Sequence, residues 1–150
     1  MGIGYDAEIV LYNCIGGEIG VDKTWYGTKI SSVRIDLQKS VNISETGSEN
    51  ASTCSFSVYD ANLPKDYLEP ETWRVTENRG FYITFDDTSF IVIGYAPSIG
   101  AMMRSLPIGK ISDTDYEEGF IEYLKTQGHV YRITGTAHYS LIPHWEITAG

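Results

Sequence analysis

The stretch Thr53-Cys-Ser-Phe-Ser-Val-Tyr59 alternates apolar and polar side chains more cleanly than any other part of the chain. Cys54, Phe56 and Val58 fall on one face of it, and the two serines fall on the other. Successive side chains of a β-strand point to opposite faces of a sheet, so this alternation predicts a half-buried strand. The face that carries Cys54 is expected to be buried.

Other segments on both sides of this strand show the same period of two, which is typical of β-structure. In the second half of Trp25–Leu37, the side chains of Val33, Ile35 and Leu37 share one face. The further predicted strands are Ile9–Tyr12, two pieces within Trp25–Leu37, a hairpin over Phe81–Gly94 that turns at 86–89, Val130–Ile133 and His144–Thr148.

Helical signals are confined to two places. Leu63–Trp73 contains two prolines and several acids, and it predicts an irregular connection with a helical turn near Glu71. Ser112–Gly128 predicts the one convincing helix, because Ser112 or Asp113 can cap its start and its apolar side chains form a single stripe. The sequence therefore predicts about eight short strands and one amphipathic helix.

Length and pattern together indicate the fold class. A chain of 150 residues is about one domain, and a domain of this size buries roughly 70% of the surface that its unfolded chain exposes. We predict a single β-rich domain over residues 1–150. It is mainly β: a small antiparallel β-barrel or sandwich with one short C-terminal helix and long inserted loops.

The charge distribution argues against several classes of partner. The net charge is −9, and the eleven basic residues are scattered. A surface that binds phosphates needs clustered Lys and Arg, so nucleic-acid and anionic-membrane surfaces are not expected. No apolar run reaches the roughly 18 residues of a membrane span, and the N-terminus has no signal-peptide pattern. Cys14 and Cys54 are accordingly expected to be free thiols in a reducing compartment.

The sequence contains no motif that predicts an enzyme. His129, His138 and His144 lack the spacing of zinc ligands with Cys14 and Cys54, and are expected at the surface or at strand ends. Cys54 is expected to be buried and inert, whereas Cys14 is expected in a turn beside Gly16 and Gly17. No catalytic residue, cofactor or metal site is predicted.

An unusual apolar loop spans Ala96–Ser112. It contains two prolines and two glycines and is too interrupted for a helix, yet it is more apolar than most loops. Two interpretations stand: the loop packs across one end of the barrel, or it forms an assembly contact in which the flexible methionines adapt to a partner subunit. The candidate assembly residues are Ile99, Ala101, Met102, Met103, Arg104 and Leu106.

Short motifs spread along most of the chain resemble a known group of proteins. The most specific are Ile133-Thr-Gly135 with His144-Trp-Glu-Ile147 near the end, and Phe90-Ile-Val-Ile-Gly94. The other motifs are Ala7-Glu-Ile-Val-Leu-Tyr-Asn13, Trp25-Tyr26, Val33-Arg-Ile35, Cys54-Ser-Phe-Ser-Val58, Leu63-Pro-Lys-Asp-Tyr67 and Trp73. The chain resembles small structural proteins, of the head–tail connector or head-completion type, from tailed bacteriophages and prophages of Gram-positive bacteria.

The resemblance implies a structural virion protein. By fold-level analogy it would be a head-closure (stopper) subunit, in a homo-oligomeric ring at the neck between portal–adaptor and tail proteins. It implies location in the virion, and in the host cytoplasm during assembly. Contact with packaged DNA would be transient and without sequence specificity, and no membrane is involved.

Two other classes of protein remain open at this point. A tail-side structural protein, such as a tube, terminator or baseplate component, would use an exposed strand or hairpin to complete a neighbour's sheet, and Phe81–Gly94 is the candidate. A small hydrolase on a β scaffold is the third class, although no residue pattern favours it.

Overall fold

The computed structural model describes residues 4–39, 52–96 and 106–150. Within these ranges the chain forms nine strands and two α-helices. In chain order they are β1 (Ala7–Ile15), β2 (Thr24–Lys39), β3 (Ser52–Tyr59), β4 (Asp66–Tyr67), α1 (Pro70–Val75), β5 (Tyr82–Ile83), β6 (Phe90–Tyr95), β7 (Gly109–Ser112), α2 (Phe120–Gln127), β8 (Val130–Tyr139) and β9 (His144–Ala149). The mainly β fold that the sequence predicts is confirmed.

Six strands close into an antiparallel barrel. The hydrogen-bonded order β1-β6-β8-β9-β3-β2 returns to its start, because β2 also pairs with β1. A seventh strand, β7, adds to the outer edge of β2 by pairing with Thr24–Gly27. Closure leaves β7, rather than the barrel strands, with an edge that no strand of the described chain covers.

The two longest barrel strands each change partner at a β-bulge. β2 pairs with β1 as far as Val33 and with β3 from Arg34, and the extra residue at this point is Ser32, whose φ is +59°. β8 pairs with β6 up to Arg132 and then with β9, where Thr134 is the extra residue. Bulges bend a strand and increase its twist, and they allow these two strands to turn the corners of the barrel.

Apolar side chains fill two separate layers, which meet at β1. The barrel interior contains Ile9 and Leu11, together with the Cys54 face of β3 that the sequence predicts as buried. The opposite face of β1 contributes Tyr12 and Cys14 to a second cluster on the outside of the barrel, beneath α2. β1 is therefore buried on both faces, which explains its continuous apolar run.

The hairpin predicted over Phe81–Gly94 is wrong. Tyr82–Ile83 pairs in parallel with Asp66–Tyr67, whereas β6 pairs with β1 and β8. Only the turn is present, where the carboxylate of Asp86 accepts hydrogen bonds from the backbone and hydroxyl groups of 88–89. The buried amide of Asn13 donates to the Thr84 carbonyl at 2.7 Å, so a side chain replaces the ladder that a hairpin would have formed.

The predicted helix is shorter than Ser112–Gly128. Ser112 is the last residue of β7, and residues 113–115 form a 3-10 turn. The helix α2 begins only at Phe120, after Gly119, whose φ is +91°. Asp113 nevertheless caps the helix from a distance. Its Oδ1 atom accepts two hydrogen bonds. The Phe120 backbone N–H donates one at 2.9 Å, and the Trp25 indole N–H donates the other at 3.0 Å.

Replacing Asp113 with Ala is expected to lower the free energy of unfolding by about 1–3 kcal/mol. The change removes the acceptor for two donors, one at the start of α2 and one on the indole of Trp25, which is itself buried. Chemical denaturation followed by circular dichroism measures this loss. Asp115→Ala, at an exposed position nearby, is the control; equal stability of the two variants would contradict the proposed cap.

Candidate assembly surfaces

Most of the predicted assembly loop lies outside the described residues. This holds for Ile99, Ala101, Met102, Met103 and Arg104. The described end of the loop packs on the barrel: Leu106 is 8% exposed and joins the outer apolar cluster. Beside it, the Tyr12 hydroxyl donates to the Pro107 carbonyl at 2.9 Å. This end of the loop is fixed to the barrel, and the assembly role of the loop stays a prediction.

A more exposed apolar surface lies at the turn of the hairpin formed by β8 and β9. Leu141 is 96% exposed and Ile142 is 63% exposed, and Tyr139 at the end of β8 is about half exposed. We call Tyr139, Leu141 and Ile142 the hairpin tip. Large apolar side chains grouped in this way on a protein surface are typical of contacts with another molecule.

Aromatic stacking and hydrogen bonds hold the hairpin tip in one conformation. Tyr139 and His144 are paired across the two strands, and their rings stack with centroids 4.9 Å apart. The Nδ1 atom of His144 donates to the Ile142 carbonyl at 2.7 Å, and its Nε2 atom lies 2.9 Å from a carboxylate oxygen of Glu146. A tip that is ordered before binding loses less conformational entropy when it meets a partner.

The acceptors beside the two ring nitrogens of His144 favour its protonated form. The pKa of His144 is raised, first by the hydrogen bond to the Ile142 carbonyl, then by Glu146, with a smaller contribution from Asp60. Both ring nitrogens face acceptors, and only the doubly protonated ring can donate to both. The charged form therefore stabilises the turn.

The turn end of the hairpin is anchored just after the end of β3. The backbone N–H of Asp60 donates to the Pro143 carbonyl at 3.1 Å, and the carboxylate of Asp60 lies 2.8 Å from Nε2 of His138. The ring of His138 also packs on Trp145, with centroids 4.7 Å apart. His138 and His144 lie at strand ends, as the sequence predicts, and their partners are carboxylates and aromatic rings of this hairpin.

Both cysteines are buried free thiols. Cys54 lies on the inner face of β3, where burial first and Asp36 second raise its pKa to about 12. The expected turn position of Cys14 is wrong: it lies within β1, packed in the outer cluster, and burial raises its pKa to about 11. A raised pKa disfavours the thiolate, the form in which a cysteine acts as nucleophile.

Neither a metal-binding cluster nor a membrane-spanning helix occurs in the described part of the chain. Among residues 4–39, 52–96 and 106–150, no three His, Cys, Asp or Glu side chains come together in a metal-binding arrangement. In the same part of the chain, no helix is long and apolar enough to cross a membrane.

Sequence reasoning missed the hairpin tip as a candidate surface. The signal was present in Leu141 and Ile142, two large apolar residues between two predicted strands, where turns normally carry Gly, Pro or polar residues. The partners of His138 and His144 were not detectable, since they come from segments that only the fold brings together.

These features define a small closed β-barrel that displays an ordered apolar hairpin turn. The chain belongs to a family of unknown function, DUF6751, whose model matches residues 4–150. No curated protein matches the chain. No solved structure matches it either.

Replacing Glu146 with Gln is expected to lower the pKa of His144. In the unmodified chain, an NMR titration should give His144 a pKa above its value in the urea-denatured chain, near 6.5. The folded-state pKa is raised, so the contribution of His144 to stability is complete below the unfolded pKa and is lost as the pH rises through the folded pKa. Identical titration of His144 in the folded and denatured chains would contradict the proposed link.

Proposed function

We propose that this chain is a structural virion protein of a tailed phage, a subunit of the head-closure ring at the neck. The observation that carries the proposal is the hairpin tip, with Leu141 96% exposed on a turn that several side chains hold rigid. A ring subunit needs a stable body and apolar surfaces that neighbouring subunits cover. The closed barrel provides the body, and the hairpin tip provides such a surface.

The setting in a phage neck comes from the resemblance of the sequence motifs. Two of the most specific motifs, Ile133-Thr-Gly135 and His144-Trp-Glu-Ile147, lie in β8 and β9, the paired strands of the hairpin that carries the tip. The apolar tip therefore lies on the same hairpin as two of the motifs that resemble phage structural proteins. The proposed partners are further copies of the chain and the portal–adaptor and tail proteins.

A tail-side structural role is the second candidate, because β7 has an edge that no strand of the described chain covers. Such an edge can accept a strand from a neighbouring subunit, as in stacked assemblies. The segment first considered for this role, Phe81–Gly94, does not form a hairpin, and β7 (Gly109–Ser112) replaces it as the candidate edge.

Cryo-electron microscopy of virus particles that carry this chain tests the setting. A single ring of copies between the portal and the tail is the expected result. Copies repeated in many stacked rings would favour the tail-side role. Absence of the chain from the particle would overturn both roles.

Replacing Leu141 and Ile142 together with Ser is expected to abolish self-association and leave the barrel folded. Both side chains are exposed, and surface substitutions usually change stability by no more than about 0.5 kcal/mol. Light scattering after size-exclusion chromatography gives the mass, and circular dichroism checks the fold. Val75→Ser, at an apolar position on α1 that is 80% exposed, is the matched control. Oligomers of unchanged mass in the double variant would show that the hairpin tip is not an assembly contact.

A further inference from the structure

The basic side chains of this acidic protein are unevenly paired. Nine of them have described side chains, and four of these lie within 4.0 Å of a carboxylate, namely Lys29, Arg34, Arg74 and Lys125. The other five have no carboxylate partner among the described residues. They lie along two clefts: Lys23 and Arg132 line one, and Lys65, Arg79 and Lys110 line the other.

We call the second cleft the basic groove. It has a volume of about 360 Å³ and lies between the start of β7 and the 3-10 turn before β5. Its lining holds three cations and one carboxylate, that of Glu77, on a chain whose net charge is −9. Lys65 also lines a neighbouring cleft that contains Asp60, Asp66 and Glu69, so Arg79 and Lys110 are the two cations that belong to the groove alone. Phe81, which is 73% exposed, lies at the same site.

Neighbouring groups hold two of the three cations in place. Lys65 donates from Nζ to the Thr28 hydroxyl at 2.9 Å, and partial burial lowers its pKa. The guanidinium of Arg79 donates to the Arg74 carbonyl at 2.6 Å and lies 5.9 Å from the centre of the Trp73 ring. These positive charges are therefore ordered before any ligand arrives, which favours binding of a complementary surface.

The same chain also carries an acidic surface at the start of α2. A cleft of about 440 Å³ at the start of α2 is lined by three glutamates and two tyrosines, which we call the acidic face: Tyr116, Glu117, Glu118, Glu122 and Tyr123. The two tyrosine rings pack with centroids 4.6 Å apart and leave the carboxylates exposed around them. Glu122 pairs with Lys125 at 3.1 Å, whereas Glu117 and Glu118 have no cationic partner in the described part of the chain.

We propose that the acidic face of one subunit docks into the basic groove of the next copy of the chain. This inference rests on the proposed function, because it names a second contact, besides the hairpin tip, between neighbouring subunits of the ring. A contact between two different patches of one chain is heterologous, and heterologous contacts repeat around a closed ring. Opposite charge on the two surfaces speeds encounter and fixes register, and the aromatic rings on both sides supply apolar area.

A nucleic acid is a poorer occupant of the basic groove. Three cations in a short groove neutralise few phosphates, and the remaining net negative charge of the chain repels the rest. A protein surface that carries three carboxylates and tyrosine rings matches the groove in charge.

Charge reversal on the full chain tests the docking. Lys110→Glu and Glu118→Lys change exposed positions on opposite sides of the proposed contact. Each is expected to raise the dissociation constant of self-association by about tenfold or more, and the combined variant is expected to bind more tightly than either one. Sedimentation velocity over a range of concentrations measures the constants, and thermal denaturation checks the fold of each variant.

Salt and a control variant separate this contact from general charge effects. Raising the salt from about 0.1 M to about 1 M shortens the screening length from about 10 Å to about 3 Å, and should weaken association of the unmodified chain. Lys29→Glu reverses an exposed lysine on β2 outside both surfaces, and it should associate as the unmodified chain does.

The outcomes distinguish the docking from the ring itself. If the unmodified chain forms oligomers but the single reversals bind equally well, the docking is overturned and the ring remains. Failure of the combined variant to bind more tightly than its parents also overturns the docking. An unmodified chain that stays monomeric at every concentration overturns the docking as a contact between free subunits, whereas microscopy of the particle decides the ring.

Discussion

The structure depends on two strands that each serve both halves of the barrel. β2 and β8 are long enough to pair with one neighbour over their first part and with another over their last part. A straight strand cannot do this while keeping its ladder regular, and the bulges at Ser32 and Thr134 supply the bend. Without these two corners the sheet would stay open, and the barrel strands at its ends would have unpaired edges.

The bulge at Ser32 also explains why the sequence shows two strand-like pieces where the structure has one strand. The residues buried in the barrel interior are Ile30 before the bulge, and Val33 and Ile35 after it. Ile30 and Val33 are three positions apart, whereas residues on the same face of a regular strand are separated by an even number of positions. The alternation predicted for Val33, Ile35 and Leu37 is confirmed, and the interruption before it is a bulge rather than a turn.

Local pattern predicted strands well and predicted their partners poorly. The strand at Thr53–Tyr59 and the two strands that close the chain were visible because alternation is a local property. The Phe81–Gly94 hairpin was wrong because Asn13, about seventy residues away, binds that segment with its side chain. The distant cap by Asp113 and the carboxylate partners of His138 and His144 were hidden for the same reason, since each contact joins segments that only the closed barrel brings together.

The fold divides apolar side chains between two closed layers and an exposed hairpin tip. The barrel interior and the outer layer under α2 are both closed, and Gly27 shows how tightly: a Cβ there would lie 2.9 Å from both the Tyr12 ring and the Pro107 carbonyl. Because these layers are complete, the apolar side chains of the hairpin tip have no place in the core, and burying them requires another molecule. The tip and the charged surfaces then have separate roles in the proposed ring, since apolar contacts supply most of the affinity and paired charges select the neighbour and its register.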